Sequence, residues 1–397
     1  TSVMLAEEAQ KVGITVENVS AHFGITKLSY KNTFHLIKQS MIPLTSGVAI
    51  WISDQKSVSY DILAYCGFPV PKSVMIPIER SGNPDEIDTT KLQEKYAEFQ
   101  DKSPEELKEI GKTMKISENI KKVEHDSEYE DKLVGLAKKA ADIVGFPCVV
   151  KPEAESSGRG VSCNITSQIE LEEATKLAYF HAVKSPGLIV QEHIDGDDFR
   201  ILVVDFKVVA VSKRVPAHVY GDGAHTILEL IELENANPLR KEGHTSPLTR
   251  ITVDTEVIRV LLSFGLTLNS IPRPGVMVML RDKANLSTGG ISVDLTDSTP
   301  EENKALVEKL CKSVQMNVCG VDVRCHSVTK VWSEEQNPFK VIELNSRPGC
   351  RMHQFPSVGN SRNVVAKILK ALFPEVYEKK KLKMNAQKLN EHIEETS

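Results

Sequence analysis

Two short apolar stretches carry oxygen-bearing side chains at alternate positions, and this pattern restricts the chain to folds that hold a polar site on strands. In Val341-Ile-Glu343-Leu-Asn345, strand periodicity turns Ile342 and Leu344 into a core and sends Glu343 and Asn345 together to the other face. Gly320-Val-Asp322-Val-Arg324 repeats the design, with Val321 and Val323 inward and Asp322 opposite. Carboxylates buried in strands are costly unless a cation compensates them. Two carboxylates and an amide oxygen form a hard-oxygen set suited to Mg2+, with waters and substrate phosphates completing the octahedron. Solvated polar faces on an edge hairpin are the competing reading. Ser346-Arg347-Pro348-Gly349 adds a tight turn and a cation beside the set.

A glycine-rich segment, Ser156-Ser157-Gly158-Arg159-Gly160, leaves backbone N–H groups free to point at anionic oxygens. The helix-based phosphate sites need strand, loop, then helix. Here the strand Phe146–Lys151 is followed by the loop and then by a second strand, Val161–Ile165. The loop therefore reads as a hairpin flap over phosphate, with Lys151 beside it as a positive charge; a plain turn and a snorkelling edge lysine are the bland alternatives. Metal set, flap and lysine together point to nucleoside triphosphate chemistry.

The rest of the chain is consistent with a large α/β protein. Its 397 residues correspond to two or three folding units at roughly 150 residues each. The net charge of −5 argues against a nucleic-acid binder. The longest apolar runs, such as Val48–Ile52 and Val276–Leu280, are far too short to span a bilayer, and no cationic-then-apolar segment opens the chain. Seven scattered cysteines without a Cys-x-x-Cys suggest a reduced compartment, so a cytoplasmic protein without nucleic-acid or membrane partners is expected. Helices are expected at Val3–Val12, 57–66, Tyr129–Val144, after a Ser167/Glu170 capping box, and at Ile227–Asn235, Asp254–Phe264, Pro300–Met316 and Val364–Leu372. A strand is expected at Ile14–Val19, followed by a polar stretch to Ile52. Phe199–Val204 and Val208–Val215 read as a hairpin across Asp205-Phe-Lys207. The expected segments are an N-terminal α/β part (1–77), a charged helical insertion (78–135), a lid (136–205), a core (206–376) and a charged tail (377–397).

In order along the chain, Lys56, Val149-Val-Lys151-Pro152, the Ser156–Gly160 loop, Val190-Gln-Glu-His-Ile194-Asp-Gly196, Asp322, Glu343-Leu-Asn345 and Pro348-Gly349 resemble the ATP-grasp superfamily. Arg214–Gly223, Ala284–Gly290 and Arg351-Met-His353 are similar to the ATP-grasp module of cyanophycin synthetases and to the glutathione-synthetase half of bifunctional glutathione synthetases. The match runs from about Lys56 to Pro374, and more faintly through the first fifty residues. It implies an ATP-grasp fold of three subdomains, with ATP between a small lid and a mainly antiparallel core sheet.

The resemblance also implies roles. Lys56 and Lys151 would contact ATP phosphates under the loop of Ser156, Ser157, Gly158 and Gly160. Gln191, Glu192, His193 and Ile194 would meet adenine, and Asp198 the ribose. Asp322, Glu343 and Asn345 would hold Mg2+, for which Mn2+ can substitute. The implied reaction joins a carboxylate to an amine through an acyl-phosphate, releasing ADP and phosphate. Arg281, Arg347, Arg200 and Arg214 are the cations nominated for the transferring phosphoryl group and the oxyanion. D-alanine ligase-like members place an arginine two residues before the metal-binding aspartate; here that position is Gly320, so another arginine is expected to serve. No Walker loop occurs, and 397 residues leave no room for a glutamate–cysteine ligase ahead of the module. The expectation is a free-standing, homo-oligomeric (dimeric) ligase acting on amino acids or small peptides. A different acceptor and a non-catalytic nucleotide-binding scaffold are the alternatives. Arg240, Lys241, His244, Arg250 and Arg281 suggest an anionic substrate, with loop surface charge as the plain alternative.

Overall fold

The computed structural model describes residues 1–79, 127–155, 158–183, 185–242 and 246–379. Most of the expected insertion and nearly all of the expected tail lie outside the described residues, as do Ser156, Ser157 and His244. The fold divides into two compact units, one formed by Thr1–Pro71 with Ile194–Ser397 and the other by Lys72–His193.

The first unit opens with α1 (Ser2–Lys11) and an antiparallel sheet β1 (Thr15–Ser20), β2 (Ile25–Tyr30) and β3 (Thr33–Lys38). Only β1 was expected. β2 and β3 each bury a single residue, Leu28 and Ile37, so neither shows a full alternating apolar face. Ser46 caps α2 (Gly47–Asp54) by accepting the Ala49 N–H at 3.1 Å. α3 (Lys56–Tyr65) occupies the expected place, and Gly67, at φ 79°, ends it.

The second unit contains β4 (Ser73–Pro77), α4 (Ser127–Val144), β5 (Cys148–Pro152), β6 (Ser162–Ile165), α5 (Gln168–His181) and β7 (Gly187–Glu192). Its strands form an antiparallel sheet in the order β4-β7-β5-β6. The β5–β6 pairing makes the glycine-rich loop part of a hairpin, as expected. Ser167 caps α5 by accepting the Glu170 N–H, and the Glu170 carboxylate accepts the Thr166 N–H at 2.7 Å. On α5, Leu171, Ala174 and Ala178 are buried and Leu177 is exposed.

The first unit resumes with the hairpin β8 (Asp197–Val204) and β9 (Lys207–Val215). Asp205 and Phe206 both have positive φ, giving the two-residue turn whose twist suits a hairpin. Next come β10 (His218–Tyr220), α6 (Ile227–Asn235), β11 (Arg240–Lys241), β12 (Leu248–Thr249), α7 (Thr255–Ser263) and β13 (Met277–Met279), around a core of Val219, Ile227, Ile231, Val257 and Leu280. β14 (Ile291–Asp294), α8 (Glu301–Ser313), β15 (Val318–Cys325), β16 (Phe339–Asn345), α9 (Arg351–Gln354) and α10 (Val364–Leu372) complete it. Pro300 is itself the N-cap of α8, one residue later than Thr299 suggested.

The centre of this unit is a fully antiparallel sheet in the order β14-β9-β8-β15-β16. One face carries Phe199, Ile201, Val203, Val211, Val321, Val323, Val341 and Leu344, packed against Ala49, Leu63, Val307 and Leu310 of α2, α3 and α8. On the other face Leu202, Val204, Ala210 and Val318 pack against α1, α10 and the N-terminal sheet. The remainder of that second face is polar.

Candidate active site

Strand register gathers the polar residues into rows. Asp294, Ser212, Arg200, Asp322 and Glu343 stand opposite one another across all five strands of the central sheet. One step along, Ser292, Arg214, Asp198, Arg324 and Lys340 form a parallel row. Asn345 pairs with Gly320 on the other side of the first row.

β15 is an interior strand, so Asp322 is buried at 4% exposure and the solvated-hairpin reading fails for it. Arg200 donates to both of its oxygens through Nε and Nη2, and Arg214 Nη2 lies 3.0 Å from Oδ2. Burial alone would raise the Asp322 pKa. The charges and hydrogen bonds of Arg200 and Arg214 outweigh it and hold the carboxyl below its ordinary range. Arg200 sits over Gly320, where a Cβ would lie 3.0 Å from its Nη1 and 3.1 Å from its Cδ. The absent side chain at 320 makes room for the arginine that reaches Asp322 from the neighbouring strand.

β16 departs from simple alternation. Asp322 faces Glu343, whereas Val323 faces Val341, so Ile342 is the extra residue of a β-bulge. The expectation that Ile342 and Leu344 point inward is thus half corrected: Val341 and Leu344 are the buried pair. The Tyr60 hydroxyl donates to the bulge carbonyl of Ile342 at 2.6 Å. Beyond the bulge, the Glu343 side chain is 37% exposed and lies 3.6 Å from Lys56 Nζ. Asn345 Oδ1 accepts the Arg347 N–H at 2.9 Å.

The other nominated cations are held elsewhere. Arg281 donates to Asp254 at 2.8 Å and to the Thr252 carbonyl at 3.1 Å, bracing the N-cap of α7. Arg347 pairs with Asp54. Arg240 is buried against Glu234 and the carbonyls of Thr249 and Gly289, a bracing role for its loop. Asp198 lies between Arg214 and Arg324, at 3.6 and 3.9 Å. Cys350 is buried, which pushes its thiol up to about 11, while Cys163 is exposed.

One buried residue beside these rows was left without a role by sequence reasoning. His353, on α9, is 1% exposed and its Nδ1 lies 2.8 Å from Ser212 Oγ; its Nε2 has no partner among the described residues. Burial first, then the nearby Arg200 and Arg214 against the opposing pull of Asp294 and Asp322, pushes its pKa down to about 3, so it is neutral. Arg324 was also missed, although it follows Asp322 by the same two-residue alternation.

In the second unit, Lys151 is 6% exposed and donates to Gln191 Oε1 at 2.8 Å, which removes the snorkelling alternative. Gln191 Nε2 is buried without a partner among the described residues. The N–H groups of Glu192 and His193 donate to the carbonyls of Lys72 and Pro147 at 2.8 and 3.1 Å, so these two backbone donors are engaged within the unit. Ile194 begins the return to the first unit. Gly160, at φ 64°, has no space for a side chain: a Cβ would lie 2.8 Å from His181 Cβ.

Among the described residues, no group of three or more His, Cys, Asp and Glu is placed to hold a metal. A divalent ion at the first row would use the carboxylates of Asp322 and Glu343 and the Asn345 amide oxygen. These hard oxygens suit Mg2+ completed by water and phosphate. Glu343 is the donor most open to it. No helix among the described residues is long and apolar enough to cross a membrane.

A five-stranded antiparallel sheet with this polar face, accompanied by a four-stranded unit with a glycine hairpin, is the ATP-grasp fold, and the chain resembles the ligases built on it. No protein-family model matches the chain. It is 33% identical over 370 residues to the cyanophycin synthetase of Trichormus variabilis, covering 93% of this chain and 34% of that protein. It is 36% identical over 232 residues to a glutathione biosynthesis bifunctional protein of Streptococcus agalactiae, covering 58% of this chain and 30% of that one. The crystal structure of a bifunctional glutathione synthetase from Pasteurella multocida superposes with a TM-score of 0.60 at 26% identity, over 94% of this chain and 43% of that chain. The chain thus spans about a third of the length of the curated relatives it matches.

Proposed function

We propose that the chain is an ATP-dependent carboxylate–amine ligase acting on amino-acid or small-peptide substrates. The observation that carries this reading is the row Arg200–Asp322–Glu343, charged side chains placed side by side across the central sheet with Arg214 and Lys56 against them. A carboxylate oxygen of one substrate attacks the γ-phosphorus of ATP, the bond to the β-phosphate bridging oxygen breaks, and ADP leaves with that electron pair. The amine of the second substrate then attacks the acyl carbon, loses a proton and expels phosphate, leaving an amide.

Asp322, Glu343 and Asn345 are assigned to Mg2+, which when bound supplies neutralisation of phosphate charge. Arg200 and Arg214 are assigned to the transferring phosphoryl group and to the oxyanion of the tetrahedral intermediate. Their fixed guanidiniums need no reorganisation as charge develops. Asp322 holds both in place. Lys151, Gln191, Gly158 and Gly160 of the second unit are assigned to nucleotide phosphates and base, and Asp198 to the ribose. The seven cysteines, none of them in a disulfide, suit a reducing cytoplasm.

The test is ADP release from Mg-ATP across amino acids, small peptides and polyamines, offered singly and in pairs. A signal requiring two partners, with a product mass equal to their sum minus water, establishes the ligase. ATP binding without turnover across the panel overturns it.

A further inference from the structure

The row beside Asp322 carries more positive charge than its one carboxylate balances. Arg214, Asp198, Arg324 and Lys340 are successive cross-strand partners on β9, β8, β15 and β16, three cations to one anion. In the first row Asp322 is gripped by hydrogen bonds. In the second, Asp198 stands 3.6 Å from Arg214 and 3.9 Å from Arg324, beyond hydrogen-bond reach, and the shorter contact of Arg214 goes to Asp322.

Arg324 is nonetheless fixed in position. Its Nη2 donates to the Gly196 carbonyl at 2.7 Å. That close approach depends on glycine, since a Cβ at 196 would lie 2.5 Å from the Cys325 carbonyl oxygen. The Nε–H groups of Arg214 and Arg324 are buried and have no partner among the described residues. Lys340 faces Arg324 directly across the β15–β16 ladder. Like charges in that relation, and buried donors left unmet, both cost stability. An oxyanion between them would relieve both.

We propose that Arg324 and Lys340, with Arg214, form an oxyanion-binding subsite beside Asp198 that takes a phosphate or carboxylate group of a reactant. Arginine presents its Nε–H and Nη–H groups in one plane, matched to two oxygens of such a group, and Lys340 adds an adjustable point charge. The subsite itself stands on the charge and geometry of the row. Only the source of the oxyanion, nucleotide phosphate or the acid substrate, rests on the ligase reading.

The experiment is isothermal titration calorimetry on the full chain with inorganic pyrophosphate, glutarate and adenosine, comparing wild type with Arg324→Gln and Lys340→Gln. Loss of charge-assisted hydrogen bonds is expected to weaken pyrophosphate or glutarate about tenfold or more in both variants, with adenosine affinity unchanged. Weakened pyrophosphate identifies phosphate as the occupant, and weakened glutarate identifies carboxylate. Lys340 lies on an edge strand, and the hydrogen bond to the Gly196 carbonyl comes from Arg324, so Lys340→Gln still decides the matter if Arg324→Gln fails to fold. Equal affinity in wild type and Lys340→Gln, or no binding of either anion to wild type at about 10 mM, overturns the subsite. If wild type binds pyrophosphate through these residues but neither ATP nor adenosine, the nucleotide reading fails and the subsite stands.

Discussion

Arg200 and Asp322 face each other across the β8–β15 ladder, and the guanidinium reaches the carboxylate over the bare Cα of Gly320. A guanidinium thus reaches Asp322 from the next strand, whereas the resemblance has an arginine two residues before the aspartate. Breaking this buried pair from one side leaves an uncompensated charge. Arg200→Leu is expected to cost about 3–5 kcal/mol of stability, and Arg200→Leu with Asp322→Leu to recover most of it. Both should lack ligase turnover. Urea denaturation of the single and double variants checks the first claim, and ADP release the second.

Gly320→Ala tests the space itself. The added methyl would meet Arg200 Nη1, Arg200 Cδ and Pro348 Cβ at 3.0–3.1 Å. Arg200 must shift, and turnover should fall about tenfold or more. Overpacking is expected to cost no more than about 1–3 kcal/mol. An unchanged kcat in a steady-state assay would show that the position of Arg200 does not matter to the reaction.

Glu343→Gln separates chemistry from folding. Because the side chain is partly exposed and its nearest cation is 3.6 Å away, the thermal midpoint should move little. Turnover should be lost, and raising Mg2+ should not restore it. A variant that retains wild-type turnover removes Glu343 from the metal assignment.

Lys151→Ala should raise the apparent KM for ATP and also lower kcat. Lys151→Arg should restore part of the affinity, provided the buried contact with Gln191 can be remade. No change in either constant would place Lys151 outside the nucleotide contacts.

His353 gives the fold an acid-sensitive point. Its folded pKa is down at about 3, against an ordinary 6.5 in the unfolded chain. Above pH 6.5 both states are neutral there. Between 6.5 and 3 only the unfolded state takes up the proton, so falling pH removes stability, at up to about 1.4 kcal/mol per pH unit. His353→Asn should flatten this component when urea midpoints are compared at pH 7.5, 6 and 5. Parallel pH profiles for the two proteins would exclude His353 as its source.

Much of the site was legible because strand alternation places Asp322 with its partners on a face opposite Val321 and Val323. The same rule failed one strand away, since an inserted residue such as Ile342 leaves no mark in an apolar run. Gly320 was read as a gap in the family pattern; that Arg200 fills it depends on register between strands, which local sequence does not encode. Arg281 illustrates the converse. Its charge suggested chemistry, but Asp254, 27 positions earlier in the chain, holds it at a helix cap. The hairpin around the glycine loop was readable from strand–loop–strand order. β2 and β3 were not, because each buries only one residue.

The bulge at Ile342 makes β16 a strand of two phases. Counted from Phe339, even-numbered residues meet the polar face at Lys340, but odd-numbered ones do so from Glu343 onward. Flattening the bulge into regular strand with Ile342 retained would therefore not leave the site intact. It would force one half to rotate, exchanging Glu343 and Asn345 for Leu344 on the working face or driving Val341 out of the core. The inserted residue acts as a phase shifter, and a protein engineered from this fold by strand grafting would need to carry the irregularity along with the residues it aligns.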